Sequence, residues 1–169
     1  GLRALLSVSV SGRVGVIGTV GTVASGAYQT LATDLAPAID LTVAACPGFV
    51  EFVERGETET DQVHVLAERL LAPVSEAKVD ALLLGCTHYP FLARTIADVM
   101  GRDVVLVSSA DETAFAVQSQ LSIAGLRRPE SEARGATQWI SSGDITVFAD
   151  LGRRLLGPEL DQVTSHRWE

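Results

Sequence analysis

The chain reads as an α/β protein built on a parallel sheet. Three observations predict this. Four short apolar runs, at residues 14–18, 41–45, 81–84 and 104–107, suit buried strands and are too short for core helices. Segments with apolar residues at helical spacing lie between them, and the connections are short.

The elements follow in order. Val14-Gly15-Val16-Ile17-Gly18 is the first strand, and residues 22–35 the first helix. The second strand, 41–45, ends at Cys46-Pro47. A short helix begins at Phe49 and is stopped by Gly56. From Asp61, Val63, Leu66, Leu70 and Leu71 recur at helical spacing. The strand at 81–84 is followed by a helix over 91–100, closed by Gly101. After the strand at 104–107, Ser109-Ala110-Asp111-Glu112 reads as a capping box that opens a helix to about Gly125. Residues 127–135 are polar, carry Pro129 and read as a loop; 138–141 reads as a strand and 146–156 as a helix.

Composition narrows the function. Of the 169 residues 47% are hydrophobic and 20% charged, an ordinary globular balance. The net charge of −8 disfavours nonspecific binding to nucleic acid or to an anionic membrane. No apolar run is long enough to span a membrane, and the start of the chain lacks the marks of a signal peptide. Two cysteines make no disulfide framework, so reduced thiols in the cytoplasm are the default. Cys46, Cys86, His64, His88 and His166 are scattered without ligand spacing, so no metal is expected. Lys78, the single lysine, sits in what looks like a solvated helix end and is a poor Schiff-base residue for pyridoxal phosphate; no cofactor is expected.

The densest signal is the run from Val79 to Leu92. Its apolar residues end in Gly85-Cys86-Thr87-His88-Tyr89, and Pro90 suits the first position of a helix. Cys86, Thr87 and His88 therefore fall at the carboxyl end of a strand, where open α/β sheets bind ligands. Cys46 also ends an apolar run, so both cysteines should lie at carboxyl ends of adjacent or near-adjacent strands, facing one cleft. Asp40, Asp80 and Asp103 precede strands, at the opposite end from such a site.

Leu83-Leu84-Gly85-Cys86-Thr87-His88-Tyr89-Pro90 resembles the second catalytic-cysteine motif of the glutamate racemases, within the cofactor-independent aspartate/glutamate racemase superfamily. Ile17-Gly18-Thr19-Val20-Gly21-Thr22 with Ser25 and Tyr28 is similar to that family's Gly-Thr-x-x-Thr segment, and Ala45-Cys46-Pro47-Gly48-Phe49-Val50 with Glu54 to its Ala-Cys-Pro-x-Phe-Val segment. Residues 108–114 resemble the start of its returning helix. The family's Asp-Ser-Gly motif and its Cys-Asn-Thr motif with the first cysteine do not occur in these 169 residues. The resemblance implies the C-terminal portion of a longer racemase. It implies two flavodoxin-like domains with the active site in the cleft between them. Residues 1–12 would be the tail of a first domain, 13–108 an inserted α/β domain carrying the Cys-Thr-His motif, and 109–169 the return to the first domain.

The implied reaction interconverts L- and D-glutamate, which supplies D-glutamate for peptidoglycan. Without a cofactor as electron sink, two acid–base groups must face opposite sides of the α-carbon. A thiol can act as base or acid, and a helix N-terminus favours its thiolate. Cys86 is then one catalytic thiol, and Thr87, His88 and Thr22 bind substrate. Glu54 either orients His88 or is a surface carboxylate; Thr19 either binds a carboxylate or caps a helix. Cys46 either supports the site without a catalytic role or is a second thiol. The partner is a small-molecule substrate, glutamate, and a homodimer is compatible. Two alternatives stay open: another racemase of the superfamily, or a binding module that has lost catalysis. The 169 residues alone should not racemise glutamate and should be poorly stable beyond about Ser109.

Overall fold

A computed structural model describes residues 1–129, 135–160 and 162–168. Its centre is a four-stranded parallel sheet of β1 (Arg13–Gly18), β2 (Asp40–Ala45), β3 (Ala81–Leu84) and β4 (Val105–Ser108), in the order β2-β1-β3-β4. Val16 pairs with Val43 on one side and Leu83 on the other, and Leu83 pairs with Val107. This is the flavodoxin-like order, and the direction of winding reverses between β1 and β3.

Eight helices surround the sheets among the described residues: α1 (Leu2–Val8), α2 (Val20–Ala24), α3 (Ala27–Leu35), α4 (Phe49–Arg55), α5 (Asp61–Glu76), α6 (Ala93–Met100), α7 (Ser109–Ile123) and α8 (Ile145–Leu156). Strand side chains alternate between two apolar layers. Ile17, Leu82 and Leu84 join Phe49, Val53, Val63, Leu71 and Ile96 from α4, α5 and α6. Val14, Val16, Ala81 and Leu83 join Leu2 and Leu5 of α1 and Ala32 of α3 on the other face.

Several expectations are corrected. The helix over 22–35 is two helices, because Gly26 takes φ 66° and restarts the chain as α3. The helix over 91–100 begins with a 3₁₀ turn, Tyr89–Leu92, before α6. The N-cap of α7 is Ser108, whose hydroxyl accepts from the Asp111 N–H at 3.4 Å; Ser109 instead donates to the Leu84 carbonyl at 2.9 Å. In residues 1–12, α1 buries Leu2 and Leu5 against β3 and β4. A strand missed by periodicity, β6 (Val163–Ser165), pairs in parallel with β5 (Trp139–Ser141). Three-residue strands give too short a pattern to read. Of the loop expected over 127–135, residues 130–134 lie outside the described residues.

Candidate functional site

β1 and β3 end side by side at the switch point, and the loops that leave them carry the candidate residues. Gly85 ties the second loop to the first strand by donating to the Ile17 carbonyl at 2.8 Å. A Cβ at this position would meet that oxygen at 2.8 Å and the Tyr28 phenol oxygen at 3.2 Å. Only glycine allows this close approach of the loop to β1. Tyr89 pins the other side of the loop. It is fully buried, stands edge-on to Phe49 at 5.4 Å, and donates its hydroxyl to the Cys46 carbonyl at 3.1 Å. Burial pushes the Tyr89 phenol above its usual range.

Between these anchors, the half-buried Cys86 has its Sγ 3.9 Å from His88 Nδ1, and the exposed Thr87 has its Oγ1 3.4 Å from the same nitrogen. On the far side of the ring, His88 Nε2 lies 3.5 Å from Glu54 Oε1 of α4. A neutral ring that keeps its proton on Nε2, toward the carboxylate, offers Nδ1 as an acceptor for the thiol or the hydroxyl. A protonated ring donates on both sides and favours a thiolate at Cys86. The arrangement can take a proton from, or give one to, a group held over Cys86.

Thr19 and Thr22 occupy the loop after β1. Their hydroxyl oxygens are 2.9 Å apart, and Thr19 Oγ1 accepts from the Thr22 N–H at 3.3 Å, so Thr19 is the N-cap of α2. Thr22 also packs over Gly18, where an added Cβ would come within 3.2 Å of it. Both threonines are partly exposed at the same sheet edge as Cys86.

Cys46 lies at the end of β2, beyond β1 from Cys86, but it points inward. It is 1% exposed among Phe49, Val53 and Tyr89, and burial pushes its thiol up to about 12. The structure thus gathers Cys86, Thr87, His88 and Glu54, sets Thr19 and Thr22 on the neighbouring loop, and puts Cys46 in the core. His64 faces Glu68 at 3.7 Å on α5, and His166 stacks edge-on to Trp168 at 4.7 Å. Nothing local in the sequence marks Tyr89 and Tyr28 as residues that pack around the loop. Their neighbours, Pro90 and the Gly18-to-Tyr28 segment, were the available signals.

Among the described residues, no cluster of three or more His, Cys, Asp or Glu side chains could hold a metal, and no helix is long and apolar enough to cross a membrane. A cavity of about 580 Å³ opens between α4 and α8, lined by Glu51, Glu54, Arg55, Asp144 and Phe148; Cys86 is outside it, on the open edge of the sheet.

The sequence model of the Asp/Glu/hydantoin racemase family matches residues 1–117. A glutamate racemase from Acidothermus cellulolyticus is 51% identical over 164 residues, covering 97% of this chain and 62% of that protein. Among solved structures, a glutamate racemase isoform from Bacillus anthracis superposes with a TM-score of 0.88 at 31% identity, over 99% of this chain and 61% of that one. The glutamate racemase from Francisella tularensis, solved in complex with D-glutamate, gives 0.86 at 25% identity, over 98% of this chain and 62% of that one. The chain therefore spans less than two thirds of the length of the relatives it matches.

Proposed function

The chain belongs to the Asp/Glu/hydantoin racemase family, and from that membership we propose that it is the Cys86-bearing part of a glutamate racemase that works without a cofactor and supplies D-glutamate for peptidoglycan in the cytoplasm. The observation that carries the reading is the thiol of Cys86 against His88 Nδ1, at the switch point of the sheet, with Glu54 behind the ring.

In this reading Cys86, as thiolate, removes the α-proton of one glutamate enantiomer; in the other direction, as thiol, it returns one. His88 and Glu54 keep the proton inventory at the sulfur, and Thr87, His88 and Thr22 hold the substrate. The opposite face needs a second acid–base group. Cys46 is a poor candidate, being buried with its thiol pushed up to about 12. The second group is assigned to the part of the relatives' length that this chain does not span. The open edge at Cys86 supports such a facing part. A homodimer belongs to the same reading, with the apolar side chains exposed along α7, Phe115 and Ile123 among them, as available surface.

The test uses the complete racemase that contains these residues. Cys86→Ser should lower inversion of L- and D-glutamate by at least about a thousandfold, because the variant loses one acid–base group outright. Cys46→Ala should keep measurable turnover. Circular dichroism of the substrate and loss of α-deuterium report both. Near-normal inversion in the Cys86 variant would remove the assignment.

A further inference from the structure

We propose that Cys86, His88 and Glu54 also form a nucleophile–base–carboxylate array that accepts acyl groups from small activated carboxylic esters, holds them as a thioester on Cys86, and releases them to water. Proton exchange at a carbon needs one acid–base atom per face. The array around Cys86 has more. One ring nitrogen of His88 lies 3.9 Å from the sulfur and the other 3.5 Å from a carboxylate. A base within reach of a nucleophile, itself oriented by a third group, is the arrangement that activates thiols and hydroxyls for acyl transfer. The parts come from two elements, the loop after β3 and helix α4, both fixed to the same core by Tyr89 and Phe49.

The loop also offers groups for the carbonyl oxygen. Among the described residues, the backbone N–H groups of Thr87 and His88 donate to no protein acceptor. They follow Cys86 directly in the chain, just before the 3₁₀ turn, Tyr89–Leu92, that leads into α6. Preorganised donors of this kind stabilise the negative charge that develops on a carbonyl oxygen under attack.

The steps balance. Sγ forms a bond to the carbonyl carbon while the thiol proton passes to His88 Nδ1. The carbon–oxygen bond to the alcohol then breaks, and the proton on Nδ1 goes to the departing alkoxide. Water attacks the thioester and gives a proton to Nδ1. The carbon–sulfur bond breaks, the carboxylic acid leaves, and the proton returns to the sulfur. Glu54 keeps the Nε2 proton in place throughout. No oxidant, metal or second thiol enters, so this activity is separate from racemisation and belongs to this chain alone.

The test mixes the 169-residue chain with 4-nitrophenyl acetate and follows nitrophenolate release together with the mass of each cysteine peptide. One acetyl group is expected on the Cys86 peptide and none on the Cys46 peptide, followed by steady release. Cys86→Ala should abolish acylation, and Cys46→Ala should leave it unchanged. His88→Asn should slow acylation at least about tenfold at near-neutral pH, the loss expected of a missing general base. Glu54→Gln should slow it by a smaller factor. If the His88→Asn variant does not fold, His88→Gly with imidazole added to the buffer should recover the rate. Acylation as fast in His88→Asn as in the parent would make Cys86 a merely exposed thiol and overturn the proposal. So would an acetyl group found elsewhere than Cys86, or one that forms and is never released. Racemisation is not read, so failure here leaves the racemase reading untouched.

Discussion

The sheet unit that ends at Ser108 and the region that follows it are built from similar local signals but differ in what they bury. Both have capped helices and parallel strands. In the first, two apolar layers close over β1 and β3, and Phe49, Leu71, Leu82 and Ile96 are excluded from water. In the second, the fifteen-residue helix α7 buries no residue, and Phe115, Val117, Leu121 and Ile123 stand exposed on it. Only Ala149 and Leu160 are buried beyond Ser109 among the described residues. The two-stranded sheet of β5 and β6 is below the size at which a sheet is stable by itself. Caps and periodicity set where an element forms; a second apolar surface decides whether it is stable. The candidate site sits wholly on the first region, which is why Cys86, His88 and Glu54 are held in place within this chain.

The largest expected effect comes from cutting one aromatic ring from each region. Phe49→Ala removes a fully buried ring that packs edge-on against Tyr89, and should cost about 3–5 kcal/mol. It should also loosen the Cys86 loop that Tyr89 anchors. Phe115→Ala removes a ring that is 66% exposed, and should change stability by no more than about 0.5 kcal/mol. Urea midpoints of the two variants give the answer. A comparable loss for both would mean that α7 is packed in solution and that the two regions do not differ in this way.

Amide hydrogen exchange tests the same contrast without mutation. The amides of β1 and β3 should exchange only through global opening, and those of α7 through local opening at much lower free energy. Equal protection in the two regions would again break the distinction.

How far the sequence could be read follows the same division. The strands at 14–18 and 81–84 are legible because both faces are buried, so each is a nearly continuous apolar run; the edge strand at 41–45 buries only Ala44 fully but keeps the same apolar pattern. The turn at Gly85-Cys86 is legible because the strand ends abruptly and Pro90 starts the next element. What was not legible depends on contacts between distant residues. Nothing local says that Tyr89 reaches the Cys46 carbonyl, or that α1 lies against β3 and β4. Glu54 could be read either as a surface carboxylate or as a partner of His88, and the 3.5 Å approach comes from how α4 docks beside the loop. The cap of α7 is ambiguous by one residue in the sequence because Ser108 and Ser109 are both capping residues, and only the hydrogen bond to the Leu84 carbonyl claims Ser109.

An intermediate effect is expected at Asp80, at the end of the sheet opposite the site. Its carboxylate accepts from Ser9 Oγ at 2.6 Å, Val10 N at 2.8 Å and Ser11 N at 2.6 Å, tying the loop between α1 and β1 to β3. The Ser9 hydroxyl first, with the backbone donors, holds this carboxyl well below the usual carboxylate range. A depressed folded-state value means stability that is present above the unfolded-state pKa, about 3.9, and lost as pH falls through the folded value. Asp80→Asn should cost about 1 kcal/mol at neutral pH, a modest figure because the carboxylate is partly exposed to water. Below about pH 4 the gap between parent and variant should narrow, as seen in urea midpoints against pH. An unchanged gap would assign the stability to shape rather than charge.

The smallest expected effect uses one helix ending that occurs in both regions. After α5, Lys78 N donates to Ser75 O at 3.0 Å and Val79 N approaches Val74 O at 3.5 Å; after α7, Gly125 N donates to Ser122 O at 3.2 Å and Leu126 N to Leu121 O at 2.9 Å. Both are Schellman endings, which need a left-handed residue after the cap. Lys78 meets this with φ 54° and Gly125 with φ 66°. A side chain in that conformation costs about 1–2 kcal/mol, partly offset by the greater freedom of glycine in the unfolded chain. Lys78→Gly should therefore stabilise the protein by about 0.5–1 kcal/mol. Gly125→Lys introduces the same strain, but in a region whose closing pair, Leu121 and Leu126, is 40% and 71% exposed, whereas Val74 and Val79 are buried. Its cost should appear as faster amide exchange around 121–126 and not in the global urea midpoint. If Gly125→Lys lowers that midpoint as much as Lys78→Gly raises it, α7 unfolds together with the sheet, and the two regions are one cooperative unit.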